Sequence, residues 1–158
     1  MVESAVEPRL GSVLEFLRTL WRVNHAMERR SWRMRRTLGV SAPQRMAVRL
    51  IGRCPDVDAT TLAALMQVDR GSLSSLLGRV EGAGLVERAT DPHDHRRVRL
   101  SLTVAGRALD SETEGTVEDA VRRALLRSTP AELAAARNVV ERLAEELERN
   151  EPTTRASA

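Results

Sequence analysis

Tyrosine and lysine are both missing from this chain, and one phenylalanine and two tryptophans bring its aromatic content to only 2%. A core without aromatics must be built from Leu, Val, Ala and Met, which favours packed helices over a sandwich of sheets. Cysteine is nearly absent too. Cys54 alone excludes an internal disulfide and fits a reducing compartment, so a soluble, cytoplasmic protein is expected. No run is apolar for long enough to span a bilayer, and Met1 to Pro8 is short and acidic, unlike a signal peptide. With lysine absent, all 25 basic residues are arginine. A GC-rich genome explains such a bias, although arginine also suits phosphate and guanine contacts. The net charge of +3 is too small to imply nucleic acid by itself. Its distribution says more: Arg9 to Arg53 is opposed only by Glu15 and Glu28, whereas Asp110 to Glu151 is acidic overall.

The densest pattern lies between Asp58 and Thr103. Asp58 is a good N-cap, and Leu62, Ala63, Leu65 and Met66 form the apolar side of a short helix after it. Asp69 caps a second helix whose Leu73, Leu76, Leu77 and Val80 recur at helical spacing and face inward. The other face carries Arg70, Ser72, Ser74, Ser75 and Arg79. Small hydroxyls and arginines suit close approach to base edges and phosphates in a major groove. Gly84 stops this helix, Val86–Thr90 and Val98–Leu102 read as two strands, and Asp91 to Arg97 forms a polar tip with adjacent Arg96 and Arg97. Helix, turn, helix and basic hairpin make a winged helix-turn-helix over about residues 40–103.

The run from Leu62-Ala63 through Val68-Asp69, Gly84-Leu85-Val86-Glu87-Arg88, Asp94-x-Arg96 and Leu102-Thr103-x-x-Gly106 resembles the MarR family of transcriptional regulators. The order and spacing of these pieces, rather than any one of them, carry the resemblance. It implies a homodimer that binds a pseudo-palindromic DNA operator, in most cases a repressor released by a small aromatic or anionic ligand. The family's Asp-x-Arg pattern falls on Asp94 and Arg96. Arg96 is expected to enter the minor groove, where focused negative potential favours arginine. Asp94 is expected to hold a nearby arginine, Arg70 or Arg96, and so structure the wing.

The flanks read as helices. The first runs from near Leu10 to about Arg36. Val13, Phe16, Leu20, Val23, Met27 and Met34 lie on one side, widened by Leu14, Leu17, Trp21 and Trp32, so burial over much of its girth is expected. Arg18, Arg22, Arg29, Arg33 and Arg36 line another side. That stripe reads as a solvated face, with a DNA-flanking surface or an anion-binding wall as alternatives. Ser41-Ala-Pro-Gln starts the next helix, with Met46, Ala47, Leu50 and Ile51 as core positions. After the wing, Thr103 caps a helix running from Val104 to about Arg127, in which Gly106 and Gly115 are weak points. Thr129 and Glu132 form a capping box for a last helix, to about Arg149, and Leu133, Ala136, Val140, Leu143 and Leu147 make its stripe. The expected fold is therefore one domain, mainly α with a small β-hairpin wing. Its dimerisation helices span about residues 10–36 and 104–149, and disordered ends cover 1–8 and 150–158. A ligand pocket is expected near Trp21, Asn24, His25, Trp32 and Met46.

No catalytic constellation emerges, and no cofactor or metal is expected. His25, His93 and His95 are the only histidines, and a wing tip offers no pre-formed zinc set around the last two. Cys54 reads as a structural thiol, because peroxide-sensing relatives hold their thiolate with tyrosines that this chain lacks. The alternative to a DNA-binding regulator is a dimeric protein-interaction scaffold with degenerate DNA binding. Three departures from the family pattern keep it open: Ser75, Gly78 and Arg45, the last standing where an aromatic or apolar residue is common; Arg70, Arg79, Arg96, Arg97 and Arg99 speak against it.

Overall fold

A computed structural model describes residues 11–90 and 98–149. The wing tip with Asp94, Arg96, Arg97, His93 and His95 lies outside these residues, as do both chain ends. The described chain forms two compact units, Met1–Val117 and Glu118–Ala158.

The first unit contains α1 (Gly11–Thr37), α2 (Ala42–Arg53), β1 (Val57–Asp58), α3 (Ala59–Met66), α4 (Arg70–Gly82), β2 (Val86–Thr90), β3 (Val98–Leu102) and α5 (Val104–Ser111). Its core gathers residues from six of these elements, Val57 of β1 among them. Ala47, Val48 and Ile51 of α2 meet Leu62 of α3, Leu73, Leu77 and Val80 of α4, Val86 of β2, and Leu100 and Leu102 of β3. Local chemistry sets the helix starts. Asp58 Oδ1 accepts the Thr61 amide at 2.7 Å, and Thr103 Oγ1 accepts the Gly106 amide at 3.0 Å. The Ser41 amide and hydroxyl both donate to Gln44 Oε1. The same Thr103 hydroxyl donates to the Gly84 carbonyl at 2.6 Å, tying the end of the wing to its beginning. A side chain at Gly106 would place its first carbon 1.9 Å from the Leu85 carbonyl oxygen, so only glycine lets α5 lie this close.

Several expectations need correction. The wing is not a two-stranded ribbon, because β1 joins it to make an antiparallel sheet of order β1-β3-β2, with Val57 opposite Leu100 and Val86 opposite Leu102. A two-residue strand is too short to show any alternation in sequence. Met46 and Leu65 are exposed rather than core, and Val48 takes the inward place on α2. The continuous helix expected from Val104 to Arg127 is broken. Glu112 is extended, Gly115 adopts a left-handed φ of 73°, and a separate α6 (Val117–Leu125) follows. Finally, α1 is not buried over its girth within one chain: Met34 alone is buried, and Val13 is 77% exposed.

The second unit holds most of α6 and all of α7 (Pro130–Arg149). Thr129 and Glu132 cap α7 reciprocally, the Thr129 amide donating to Glu132 Oε2 at 2.7 Å and the Glu132 amide to Thr129 Oγ1 at 3.2 Å. These bonds hold the Glu132 carboxyl below its ordinary range, the Thr129 amide contributing most. No residue of α7 is buried, and Leu147 is 66% exposed. Among the described residues, no helix is long and apolar enough to cross a membrane.

Candidate nucleic-acid interface

α4 exists because Asp69 starts it. Asp69 Oδ1 accepts the Ser72 amide at 2.9 Å, and Oδ2 accepts the Ser72 hydroxyl at 2.5 Å. The Ser72 hydroxyl, then its amide, hold the Asp69 carboxyl below its ordinary range, so the cap stays ionised. Ser72 therefore spends its proton on the cap, leaving its oxygen free to accept. A hydroxyl in that state suits a base donor, such as the exocyclic amine of adenine or cytosine, better than a guanine acceptor. Among the described residues, the hydroxyls of Ser74 and Ser75 have no intramolecular partner, and Arg70 and Arg79 pair with no carboxylate.

With Leu73, Leu76, Leu77 and Val80 turned inward, helical geometry puts Gly71, Ser75, Gly78 and Gly82 on the outermost line of α4. Nothing lies within 4 Å of where a side chain on Gly78 or Gly82 would begin. The centre of the helix is thus nearly bare backbone. The expected single reading face is instead two edges. Ser72, Ser75 and Arg79 flank a groove of about 560 Å³ shared with Pro43 and Val68. Arg70 and Ser74 flank a smaller one, about 190 Å³, on the opposite side with Thr60 and Arg88.

Arg88 is a residue that the sequence reading left out of the site. It lies on β2, and its Nε donates to Glu81 Oε1 at 2.5 Å, which holds the guanidinium beside α4. Its place in the Gly84-Leu85-Val86-Glu87-Arg88 run was the signal in the sequence, since alternation alone would put it on the face of the buried Val86. At the base of the wing, Arg99 pairs with Asp56 at 3.5 Å, and Asp56 has a left-handed φ of 61°. Asp94, Arg96 and Arg97 lie outside the described residues.

The five expected ligand residues do not converge. A cleft of about 510 Å³ opens between α1, the start of α2 and α4, walled by Met27, Trp32, Arg35, Pro43 and Arg79. Trp32 alone of the five lines it, with the Arg36 guanidinium 4.8 Å from its ring centroid. Trp21 is 63% exposed, Asn24 donates to Glu28, His25 Nδ1 sits 2.8 Å from the Trp21 carbonyl oxygen, and Met46 is on the surface. Cys54 is a free, exposed thiol.

Arg45 was read as a departure in a DNA-binding motif. It is 1% exposed and donates to the carbonyls of Leu109, Asp110 and Glu112.

Comparison with known proteins agrees with this geometry. Residues 38–97 match the MarR family profile. A transcriptional repressor of Mycobacterium tuberculosis is 28% identical over 106 residues, covering 67% of this chain and 76% of that one. The homoprotocatechuate degradative operon repressor of Escherichia coli is 36% identical over 76 residues, covering 48% of this chain and 51% of its own. In fold, the chain resembles MepR of S. aureus, solved as a DNA complex. The TM-score is 0.69 at 16% identity, with 84% of this chain and 97% of that one covered. With its winged segment matched and its three-stranded wing and capped helices in place, this chain is similar over residues 38–97 to the MarR family of transcriptional regulators and has the winged-helix fold.

Proposed function

We propose that the protein is a homodimeric repressor that binds a pseudo-palindromic operator and leaves it when a small aromatic or anionic molecule binds. The observation that carries the DNA part is α4 itself. It is a helix with a bare outer line, two free hydroxyls, and unpaired arginines at both ends of its exposed face. Ser74 and Ser75 read base edges, Ser72 accepts from a base amine, and Arg70, Arg79 and Arg88 hold phosphates. The wing adds Arg96 in the minor groove and Arg97 beside it, with Asp94 as the brace. Dimerisation is supported by the apolar faces that a single chain leaves in water, Val13, Phe16 and Leu17 on α1 and Leu133, Val140 and Leu147 on α7. Two α4 helices would then meet half-sites about one helical turn apart, roughly 34 Å. Release by a ligand is supported by the cleft beside Trp32. Its apolar wall and the guanidiniums of Arg35 and Arg79 suit an aromatic anion, and Arg79 also borders the groove along α4.

The test is a gel shift on duplexes selected by the protein from a random pool, with sedimentation of the free protein alongside. Ser75→Ala should relax discrimination at particular base pairs by about 1–3 kcal/mol. Arg96→Ala should weaken binding to every duplex and make the salt dependence shallower by about one unit of slope. Binding of all duplexes equally by parent and Ser75→Ala would remove α4 as the reader. A folded monomer at micromolar concentration would remove the dimer.

A further inference from the structure

The break between α5 and α6 has a cause outside both helices. At a helix end the last carbonyls lose the amides that would have bonded them. Here the Glu112 amide still bonds the Leu109 carbonyl at 3.1 Å, and a side chain from α2 supplies further donors. The Arg45 guanidinium donates to the carbonyls of Leu109, Asp110 and Glu112. Arg49, one helical turn further along α2, donates to the Asp110 carbonyl and its carboxylate, both at 2.8 Å. Arg30 of α1 reaches the Thr116 carbonyl with its Nε at 3.2 Å. α2 and α5 come this close because position 52 is glycine, whose side chain would otherwise begin 2.9 Å from the Asp110 carboxylate. Thr116 is fully buried, and the first compact unit ends one residue later.

We infer that Arg45 is a positioning residue for operator recognition: by replacing the helix's own donors it holds the 112–116 break, and so sets the half-site spacing that the dimer accepts. The residue has a chemical reason to be arginine. A buried guanidinium is costly unless its donors are satisfied, and three carbonyls in an arc match its fork. An apolar residue there would take the Arg45 donor from the Glu112 carbonyl, while Leu109 would keep the Glu112 amide and Asp110 the Arg49 guanidinium; a continuous helix would instead supply all three from its own amides. The apolar spacing from Val104 to Arg127 permits such a continuous helix. Arg45 thus selects between two paths for the same segment. This inference rests on the proposed dimer on a two-half-site operator.

The experiment uses the full chain and duplexes selected by the parent from a random pool. Each selected duplex is rebuilt as a single half-site and as pairs of half-sites with the spacing changed one base pair at a time. The parent comes first: paired sites at one spacing must bind more tightly than a single half-site. Arg45→Met and Gly115→Ala should bind the single half-site as the parent does. Both should lose on the order of tenfold on the best paired site, as two linked contacts lose effective concentration, and their preference for one spacing should flatten. Arg45→Lys, which keeps a donor but not the fork, should fall between. Amides of residues 112–117 should exchange faster in Arg45→Met while those of α4 keep their rates. Gly115→Ala changes no buried side chain, so it decides the matter if Arg45→Met fails to fold. An unchanged spacing preference in the folded variants overturns the inference, as does an equal loss on the single half-site. If the parent itself gains nothing from a second half-site, the dimer reading falls first and the positioning role with it.

Discussion

α4 and α7 treat their aliphatic residues in opposite ways. α4 takes Leu73, Leu76, Leu77 and Val80 out of water against α2, α3 and the wing. α7 spaces Leu133, Ala136, Val140, Leu143 and Leu147 as regularly, yet none of its residues is buried. Full burial of one such side chain is worth about 1.5–3 kcal/mol. In the winged part that stabilisation comes from the chain itself, while in α7 it is still to be gained. The contrast separates a self-sufficient core from surfaces whose stability depends on what covers them, and it can be broken at each point.

The largest effect is expected inside the winged core. Leu77→Ala should cost about 2–5 kcal/mol in denaturant melts, because Leu77 is fully buried in the core cluster and its removal leaves a cavity. A loss below about 1 kcal/mol would mean that α4 is not held as described. Val140→Asp, by contrast, should leave the melt of the winged part unchanged and shift the protein toward monomer in sedimentation, since it puts a charge on the face proposed to meet a second copy. Equal unfolding by both variants would erase the distinction between the two regions. Gly78→Ala sharpens it from another side. With open space around position 78, alanine should stabilise α4 by up to about 1 kcal/mol. It should nonetheless weaken DNA binding, because it fills the line where backbone meets the groove. Tighter binding to DNA would show that α4 does not approach that closely.

The smallest effect concerns Asp69. Its carboxyl is held below the ordinary range by Ser72, so its contribution is fully present above the unfolded carboxylate value and is lost as pH falls through the lower folded one. Asp69→Asn should therefore narrow the difference in melting temperature between pH ~6 and pH ~3. An unaltered difference would mean that the cap does not titrate with folding.

What could be read from the sequence was what one helix turn or one strand decides alone. Asp58, Asp69, Thr103 and Thr129 were recognisable as caps because a cap is made by residues three apart. The bounds of β2 and β3 followed from alternation and the flanking turn. The misses all depend on partners distant in sequence. β1 exists through β3, 42 residues or so away along the chain, and carries no pattern of its own. Met46 and Leu65 fit the helical period but fall at the edge of the buried face, where Arg45 and Val48 hold the interior. The α5–α6 break required a guanidinium 64 residues away. The site followed the same division. Ser72, Ser74, Ser75 and the flanking arginines were legible as one polar face, but its division into two edges and the place of Arg88 depend on how the wing packs. Four of the expected ligand residues lie on α1 and Met46 on α2 without sharing a cleft, because helical spacing alone does not say which side α4 will close.

The knot at Thr103 has a further consequence for how this regulator can change. One hydroxyl joins the Gly84 carbonyl to the start of α5, and the Thr103 amide bonds the Leu85 carbonyl at 3.1 Å. The two ends of the wing are therefore fastened at its root, and the strands stay in register from Val86 opposite Leu102 to Thr90 opposite Val98. For a loop closed at its root, doubling the connecting length costs only about 0.6 kcal/mol. The register of β2 and β3 is thus set at the root and not by the length of what joins them.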